Sequence, residues 1–382
     1  MQVKGHAAPE TKAAAERAHL LIEEARARGE PLEDPLLLFS VLYSFWVAAH
    51  GAFDGDMMRA LAAQFLGLAE KQGAAIPLVV GHRIMGSSLF LTGDIAEGRR
   101  HYDQAIRLYD PAAPQSLETR FGQDLGIGNL SYRSTPLWVL GYPQAARTDN
   151  ENSVARARET GHATTLILAL TYMSVVDVLG RKDYADAAKA TNDELIALSD
   201  EKGALFWRTH GELLRGSLLA QAGNASEAVQ TIGSSLTTIR SSGTKMFLPC
   251  FLMLLSKAHA DLGEFAAARG CINEALTAIQ TNKERWCEAE VNRVAGEVAL
   301  KSPAPDAEKA EAYFERALAV AGQQQAKSWE LRAAISLARL WRDQGKVQQA
   351  RELLARVYGW FTEGFDTRDL KEAKALLDEL AS

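Results

Sequence analysis

Residues of the kinds that catalyse reactions or bind metals are present in this sequence, but they are not grouped. No two of the eight histidines lie three or four positions apart, which excludes the helical His pair of many zinc enzymes. No complete glycine-rich phosphate-binding loop and no Gly-x-Ser-x-Gly nucleophile motif occurs. The three cysteines lack the paired spacing of metal ligands, and we expect Cys250, Cys271 and Cys287 to be reduced and buried. We therefore expect no catalytic residue, no metal site and no cofactor.

One polar segment could still form a pocket. It runs from Phe121 to Asn129 as FGQDLGIGN and precedes a predicted helix. One interpretation is a loop in which Asp124 or Asn129 caps that helix while Phe121 packs beneath it. The other is a polar pocket that uses Arg120, Gln123 and Asp124. The sequence leaves both interpretations open.

Composition and charge limit the possible partners. The 382 residues carry 42 Lys and Arg against 48 Asp and Glu, a net charge of -6. Such mild acidity gives no general attraction to phosphate, and we find no dense basic stripe that would suit a nucleic acid. The N-terminus lacks the apolar core of a signal peptide, and the longest apolar run, Met246 to Leu255, is far short of a membrane span. We expect a cytoplasmic protein that binds neither nucleic acid nor membrane.

The elements that position these side chains form an internal repeat. A turn of the form Gly-x-x-x-x-Ala, or a close variant, recurs along the chain with a spacing near 41. Gly ends one helix in a left-handed conformation at low cost, and the small residue lets the next helix cross it closely. Larger apolar residues such as Tyr102, Ile232 and Phe314 follow four positions later, on the same helical face. The small residues are predicted at positions 60, 98, 146, 187, 228, 268, 310 and 350.

The pattern resembles the tetratricopeptide repeat, a unit of two antiparallel helices. The residues that match it best are Gly86, Gly93, Gly98, Tyr102 and Ala105. The usual period of that family is about 34 residues, so a period near 41 predicts helices about one turn longer. We predict an all-α fold, a right-handed α-solenoid of about eight long helix pairs with a lone helix at each end.

The same spacing predicts the boundaries of the fold. We expect one superhelical domain over residues 1–382, with a leading helix within 1–30, repeats over 31–365 and a capping helix over 366–382. The leading helix has no first helix to cover one of its faces, so apolar residues such as Leu20 should remain exposed. We expect this edge to dock an upstream domain of a longer protein, or a second copy of the chain in a homodimer.

The resemblance to tetratricopeptide arrays also implies a concave groove lined by certain first-helix positions. Charged residues at such positions are more often solvated or paired within one helical turn, as Glu290 could be with Arg293 three positions later. The candidate groove residues for a ligand or partner are Arg83, Ser87, Tyr172, His210, Lys257, Glu290, Arg293, Glu297, Arg332 and Arg339.

Three longer stretches carry a narrower resemblance. They are GHRIMGSSLFLTGD at 81–94, QQQAKSWELRAAISLARLWRDQGK at 323–346 and VYGWFTEGFDTRDLKEAKALLDEL at 357–380. These are similar to the C-terminal repeat regions of bacterial signalling proteins with class III adenylate or guanylate cyclase and AAA-type ATPase modules. The resemblance implies a region that binds partners downstream of the ATPase module. The chain contains no part of either module, so neither activity is transferred to it.

Three functions remain, in decreasing order of support. The first is a non-catalytic interaction or regulatory scaffold that binds a protein segment or partner domain in a signalling protein. The second is a small-molecule sensor with a ligand in the concave groove, and the third is an enzyme. A small ligand deep in the groove would favour the sensor, whereas a wide groove with an apolar strip would favour a peptide or helix partner.

Overall fold

The computed structural model describes residues 17, 36–110, 120–180 and 185–381. In these ranges the chain is helical throughout, with no β-strand, which confirms the all-α prediction. The helices described in full, numbered in chain order, are α1 (Leu37–Ala52), α2 (Gly55–Gln72), α3 (Ala75–Leu91), α4 (Ile95–Leu108), α5 (Leu125–Val139), α6 (Pro143–Thr160), α7 (Ala163–Gly180), α8 (Ala185–Glu201), α9 (Leu205–Gln221), α10 (Ala225–Ser241), α11 (Leu248–Asp261), α12 (Phe265–Asn282), α13 (Glu288–Lys301), α14 (Ala307–Gln324), α15 (Lys327–Asp343), α16 (Val347–Tyr358) and α17 (Arg368–Glu379).

Within the described part of the chain, consecutive helices form eight pairs, from α1 and α2 to α15 and α16, and α17 follows the last pair. First helices of neighbouring pairs also pack on one another, as α5 does on α7 and α13 on α15. This arrangement, in which each pair contacts its neighbours, defines a solenoid and confirms the predicted number of pairs. The predicted leading helix and its Leu20 lie outside the described residues.

The turn inside most pairs has the predicted geometry. Gly93, between α3 and α4, has a φ of 105°, and Gly223, between α9 and α10, has a φ of 86°. The helices then cross closely: a Cβ on Gly98 would lie 2.8 Å from the carbonyl oxygen of Gly86. Small residues at this crossing therefore allow the close contact within a pair.

Two of the predicted crossing residues were wrong. Ala60 and Ala187 are exposed, and the buried residues at the crossings are Met58 and Ala188. In the first pair the turn contains no glycine at the left-handed position, because Phe53 adopts it with a φ of 48°. The predicted crossing residue therefore lies two positions after the buried one in the first pair, and one position before it in the fourth pair.

The second superhelical turn lies directly on the first. Three hydrogen bonds join residues about five repeats apart, so about five pairs complete one turn and pairs six to eight contact pairs one to three. The bonds are Lys245 N to Gly51 O (2.9 Å), Arg285 N to Leu91 O (2.8 Å) and Ser328 Oγ to Trp138 O (2.6 Å, 190 positions apart).

The C-terminal helix α17 covers the last pair. Its Leu370 and Leu376 are buried, while Lys371 and Lys374 on the other face are exposed. The helix begins after Thr367, whose side chain makes no capping hydrogen bond. An apolar inner face and a charged outer face are what a terminal helix of a solenoid requires.

Among the helices that the structure describes, one, α7, is long and apolar enough by length and composition to cross a membrane, with a mean hydropathy of 1.6. However, 61% of it is buried inside the solenoid, as expected of a core helix. The sequence analysis found no long apolar run here because Tyr172, Ser174 and Asp177 interrupt the pattern.

Candidate functional site

The concave side of the superhelix encloses a cavity of about 480 Å³. Its wall comes from α1, α5, α7, α9 and α11, together with Phe90 of α3, the segment before α5, and Trp286 before α13. Each first helix contributes side chains three or four positions apart, such as Tyr43, Trp46 and His50 on α1, because these share one helical face. One helix face, repeated around the superhelix, therefore builds the cavity.

Aromatic side chains dominate this wall, and they pack on one another. The ring centres of Phe206 and His210 lie 4.2 Å apart, those of His210 and Phe251 5.8 Å, and those of Phe247 and Trp286 6.0 Å. Large rings give much apolar contact area with few rotatable bonds, which suits an apolar ligand. The aromatic residues of the wall are Tyr43, Trp46, Phe90, Phe121, Tyr132, Tyr172, Phe206, Trp207, Phe247, Phe251 and Trp286.

Trp286 closes the cavity from the second superhelical turn. Its backbone N–H donates to the carbonyl oxygen of Leu91 (3.2 Å), and its ring centre lies 5.5 Å from that of Phe90. Its indole Nε1 donates to Glu284 Oε1 (3.1 Å). Burial raises the pKa of Glu284 to about 8, so this carboxyl group is mostly protonated at neutral pH. Trp286 is thus fixed both to the first turn and to a neutral buried acid.

One end of the cavity is polar. The buried guanidinium of Arg83 lies 5.5 Å from the ring centre of Tyr43 and 5.9 Å from that of Tyr132. Its Nη2 donates to the hydroxyl of Tyr43 (3.1 Å), which donates in turn to the carbonyl oxygen of Phe121 (3.3 Å). The amide of Gln123 donates to the hydroxyl of Tyr132 (3.1 Å). This network connects α3 to the segment before α5.

Four of the predicted groove residues belong to the cavity or its immediate surroundings. Tyr172 and His210 line the cavity. Arg83 contacts two tyrosines of the wall, and Ser87 shares a hydrogen bond of 2.7 Å with the buried hydroxyl of Tyr102. These four residues lie on α3, α7 and α9.

The segment before α5 has both of the roles considered for it. Asp124 caps α5, because its Oδ1 accepts a hydrogen bond from the backbone N–H of Ile127 (2.6 Å), and Phe121 is buried. Arg120 and Gln123 instead line the cavity. Asp124 thus has a structural role, while Arg120 and Gln123 join the predicted groove residue Tyr172 around the same cavity.

Elsewhere in the concave interior, four predicted groove residues pair with one another. Arg293 donates to Glu290 twice, from Nε (2.7 Å) and from Nη2 (2.8 Å), and also to Glu297. Arg332 donates to Asp369 from Nε (2.7 Å) and to Glu290 from Nη1 (3.2 Å). We call these five residues, Glu290, Arg293, Glu297, Arg332 and Asp369, the ionic cluster.

The ionic cluster is internally satisfied. Burial opposes ionisation of Glu290, but the two arginines lower its pKa to about 2. The remaining donor of Arg332, Nη2, bonds the carbonyl oxygen of Leu179, and its guanidinium lies 5.1 Å and 5.2 Å from the ring centres of Trp138 and Trp329. A ligand at this place would have to displace these contacts. The cluster therefore links the second turn of the superhelix to the first.

The last two predicted groove residues lie apart from the cavity wall. Lys257 on α11 is near the ionic cluster, where its charge helps to lower the pKa values of Glu290 and Glu297. Arg339 on α15 points to α17, with Nη2 3.5 Å from Glu372. Lys257 and Arg339 thus belong to the electrostatics of the last pairs of helices.

The chemistry available to the cysteines is limited by burial. Burial raises the pKa values of Cys250, which lines the cavity, and of Cys287, so both are protonated thiols and weak nucleophiles. Within the described ranges, no three His, Cys, Asp or Glu side chains are placed so that they could hold a metal ion.

Solved structures share this architecture over nearly their whole length. A Rap protein complexed with Competence and Sporulation Factor has a TM-score of 0.63 at 9% identity, covering 96% of this chain and 95% of its own. The fold is a tetratricopeptide-type superhelix. The Rap conjugation gene regulator of plasmid pLS20 in complex with the Phr* peptide has a TM-score of 0.54 at 10% identity, with 97% and 94% covered. The apo quorum sensor NprR from B. thuringiensis gives 0.51 at 13%, with 91% and 94% covered.

These likenesses concern the fold, because the identities are too low to carry residue roles across. No protein-family model matches the chain, and no curated protein sequence matches it. The sites of this tetratricopeptide-type superhelix must therefore be argued from its own side chains.

Most of the aromatic wall was not predicted from the sequence. Phe206 and Trp207 lie about one turn before His210 on α9 and line the same cavity. The bulky aromatic residues at those positions were a signal that could have been used. Trp286 gave no such signal, because it reaches the cavity only through stacking of the second turn on the first.

Proposed function

We propose that this protein is a non-catalytic regulatory scaffold that binds a short segment of another polypeptide inside its superhelix. The observation that carries the proposal is the aromatic cavity of about 480 Å³, a size typical of ligand sites, which span roughly 300–1,000 Å³. Two solved proteins with the same fold, the Rap protein and the pLS20 regulator, are complexed with a competence factor and with a peptide. Both support a peptide as the ligand.

The cavity wall suggests how binding would be transmitted. Helices α1 and α7 belong to the first superhelical turn, whereas α11 and Trp286 belong to the second. A ligand that contacts both turns favours the conformations in which the turns are close, and so shifts the population of superhelix shapes. Repeat arrays transmit such changes along their length because each repeat contacts only its neighbours.

The wider setting rests on the sequence resemblance. We propose that the scaffold acts in the cytoplasm, without nucleic-acid or membrane partners, and reports ligand binding to a signalling module such as the cyclase or ATPase of a longer protein. The N-terminal edge is proposed to dock that module or a second copy of the chain. Tyr172, His210, Arg120 and Gln123 are proposed to contact the ligand, since all four line the cavity.

A small molecule is the second candidate ligand. The cavity lies between two stacked superhelical turns, and its wall holds a few polar groups among many apolar ones, the usual composition of a small-molecule site. A small-molecule sensor and a peptide-binding scaffold would use the same cavity. They differ in whether an amide backbone is needed for binding.

The test is a titration in which the fluorescence of the wall tryptophans is followed as pooled apolar tri- and tetrapeptides, or pooled small aromatic molecules, are added. Val175→Trp fills the cavity from α7, and Val347→Trp is the matched control at an exposed position on α16. We expect the wild type and the Val347→Trp variant to bind peptides and the Val175→Trp variant not to. Binding that survives Val175→Trp would contradict the proposal, as would the absence of binding from both pools.

A further inference from the structure

Among the described residues that line the cavity, the charged groups include an arginine but no carboxylate. Arg120 lines the wall, and within the described part of the chain no Asp or Glu lines it. Arg83 is 2% exposed, and it has no carboxylate within ion-pair distance among the described residues. Glu284, the acid that holds Trp286, is mostly protonated at neutral pH because burial raises its pKa to about 8. The polar end of the cavity therefore has Arg120 in its wall and the buried Arg83 behind it.

Arg83 is also incompletely satisfied. Its Nη2 donates to Tyr43, but its Nη1 is buried and has no hydrogen-bond partner among the described residues. A buried guanidinium without a counter-ion is costly, and an orphaned N–H group adds to the cost. Two further hydroxyl groups belong to the cavity wall: that of Tyr172, and the buried Oγ1 of Thr135, which has no partner in the described part of the chain. An anionic oxygen is the group that best satisfies an orphaned guanidinium N–H group, and hydroxyl groups can donate to it as well.

We propose that the cavity binds a ligand with a carboxylate, which lies at the end lined by Arg120 and Tyr172, where Arg83 packs behind the wall tyrosines Tyr43 and Tyr132, while its apolar part lies against the aromatic wall. The inference rests on the proposed function and adds the ligand's charge and orientation. A peptide would enter with its C-terminus at this end, and a small molecule would be an aromatic or aliphatic acid. Arginine and tyrosine donors around a carboxylate form charge-assisted hydrogen bonds, which are the strong ones.

Matched acids and amides test the inference. The probes are the tripeptide Leu-Leu-Phe with a free C-terminus against its C-terminal amide, and 4-phenylbutyrate against 4-phenylbutyramide. We expect the wild-type chain to bind at least one acid about tenfold or more tightly than its amide, the effect of a charged hydrogen bond. The tripeptide pair reports a peptide ligand and the phenylbutyrate pair a small acid.

Single substitutions test which residues cause the preference for acids over amides. Arg83→Gln should remove the preference for acids, whereas Arg107→Gln, an exposed arginine on α4, should leave it unchanged. Tyr172→Phe removes one hydroxyl group from the wall and should reduce the preference even if Arg83→Gln fails to fold. If amides bind as tightly as acids, and Val175→Trp abolishes both, the inference is wrong and the proposed function stands. If no probe binds the wild type, both are wrong.

Discussion

Glu284 and Glu290 are both buried and lie six positions apart, yet their pKa values are shifted in opposite directions. Glu284, behind the cavity, has a pKa raised to about 8 by burial, with Trp286 as its hydrogen-bond donor. Glu290, in the ionic cluster, has a pKa lowered to about 2, because Arg293 and Arg332 outweigh the effect of burial. In one region of the concave interior a buried carboxyl group is therefore neutral, and in the other it is charged and paired with arginines.

This difference distinguishes the ionic cluster, which stabilises the fold, from the cavity, which is the proposed binding site. In the ionic cluster each arginine meets carboxylates, so the bonds are used within the protein. Around the cavity, Arg83 packs on two aromatic rings and donates to one hydroxyl group, and its Nη1 has no hydrogen-bond partner among the residues that the structure describes. Repeats of the same architecture can therefore stabilise the superhelix in one region, as at the ionic cluster, and form a ligand-binding site in another, as proposed for the cavity.

The largest expected effect comes from opening the ionic cluster. Arg293→Met removes the bidentate partner of Glu290 and leaves a buried carboxylate poorly paired, which should reduce the free energy of unfolding by ~3–5 kcal/mol. The control is Arg339→Met, which breaks a more exposed pair with Glu372 and should cost ~1 kcal/mol or less. Urea unfolding followed by circular dichroism measures both. Equal losses at the two sites would show that the cluster does not hold the second turn in place.

The pH dependence of stability should distinguish the two glutamates. The native pKa of Glu284 is about 8 and its ordinary value is 4.5, so unfolded chains lose this proton first and stability falls as pH rises between these values. Against Glu284→Gln, which cannot ionise, the wild type should lose about 4 kcal/mol of unfolding free energy across that window. Glu290 has the opposite sign: its contribution is present above pH 4.5 and is lost as pH falls toward 2.

Urea titrations at several pH values measure these slopes. The neighbouring thiols of Cys250 and Cys287 stay protonated through the window, because burial and Glu284 raise their pKa values. If the wild type and the Glu284→Gln variant have parallel profiles between pH 4.5 and 8, Glu284 is not buried as a neutral acid behind Trp286.

Helix crossings should be equally sensitive in both regions, with a smaller effect. Ala228 lies on α10, which pairs with the cavity-lining helix α9, and Ala350 lies in the last pair; both are fully buried. Replacing either by Leu should cost ~1–3 kcal/mol through overpacking, whereas Ala187→Leu, at an exposed position, should change stability by within ~0.5 kcal/mol. Thermal unfolding checks the three variants. A large loss of stability in the Ala187→Leu variant would mean that Ala187 is the crossing residue, as predicted from the sequence, and not Ala188.

The sequence predicted the fold because its information is local. Each turn and crossing repeats within about 40 residues, and the burial of Ala146, Ala228, Ala268, Ala310 and Ala350 follows from that spacing. Where a turn lacks its glycine, as at Phe53, the crossing residue was predicted two positions too late in the sequence.

The cavity was predictable only in part. Tyr172 and His210 were found because they occupy inward positions within one repeat. Trp286 was not, because its place depends on the angle accumulated over five repeats, which brings it against Leu91. The partners of Arg332 were missed for the same reason: Leu179 lies 153 positions away in sequence.

A crystallographic screen with small aromatic acids and apolar tripeptides tests the central claim most directly. The claim is that the cavity binds ligands, whereas the ionic cluster only holds the superhelix together. We predict bound molecules in the cavity between Trp46, Tyr172 and Trp286, with none displacing the bonds of the ionic cluster. Molecules bound at the ionic cluster, or a cavity that stays empty at every concentration tested, would contradict the account.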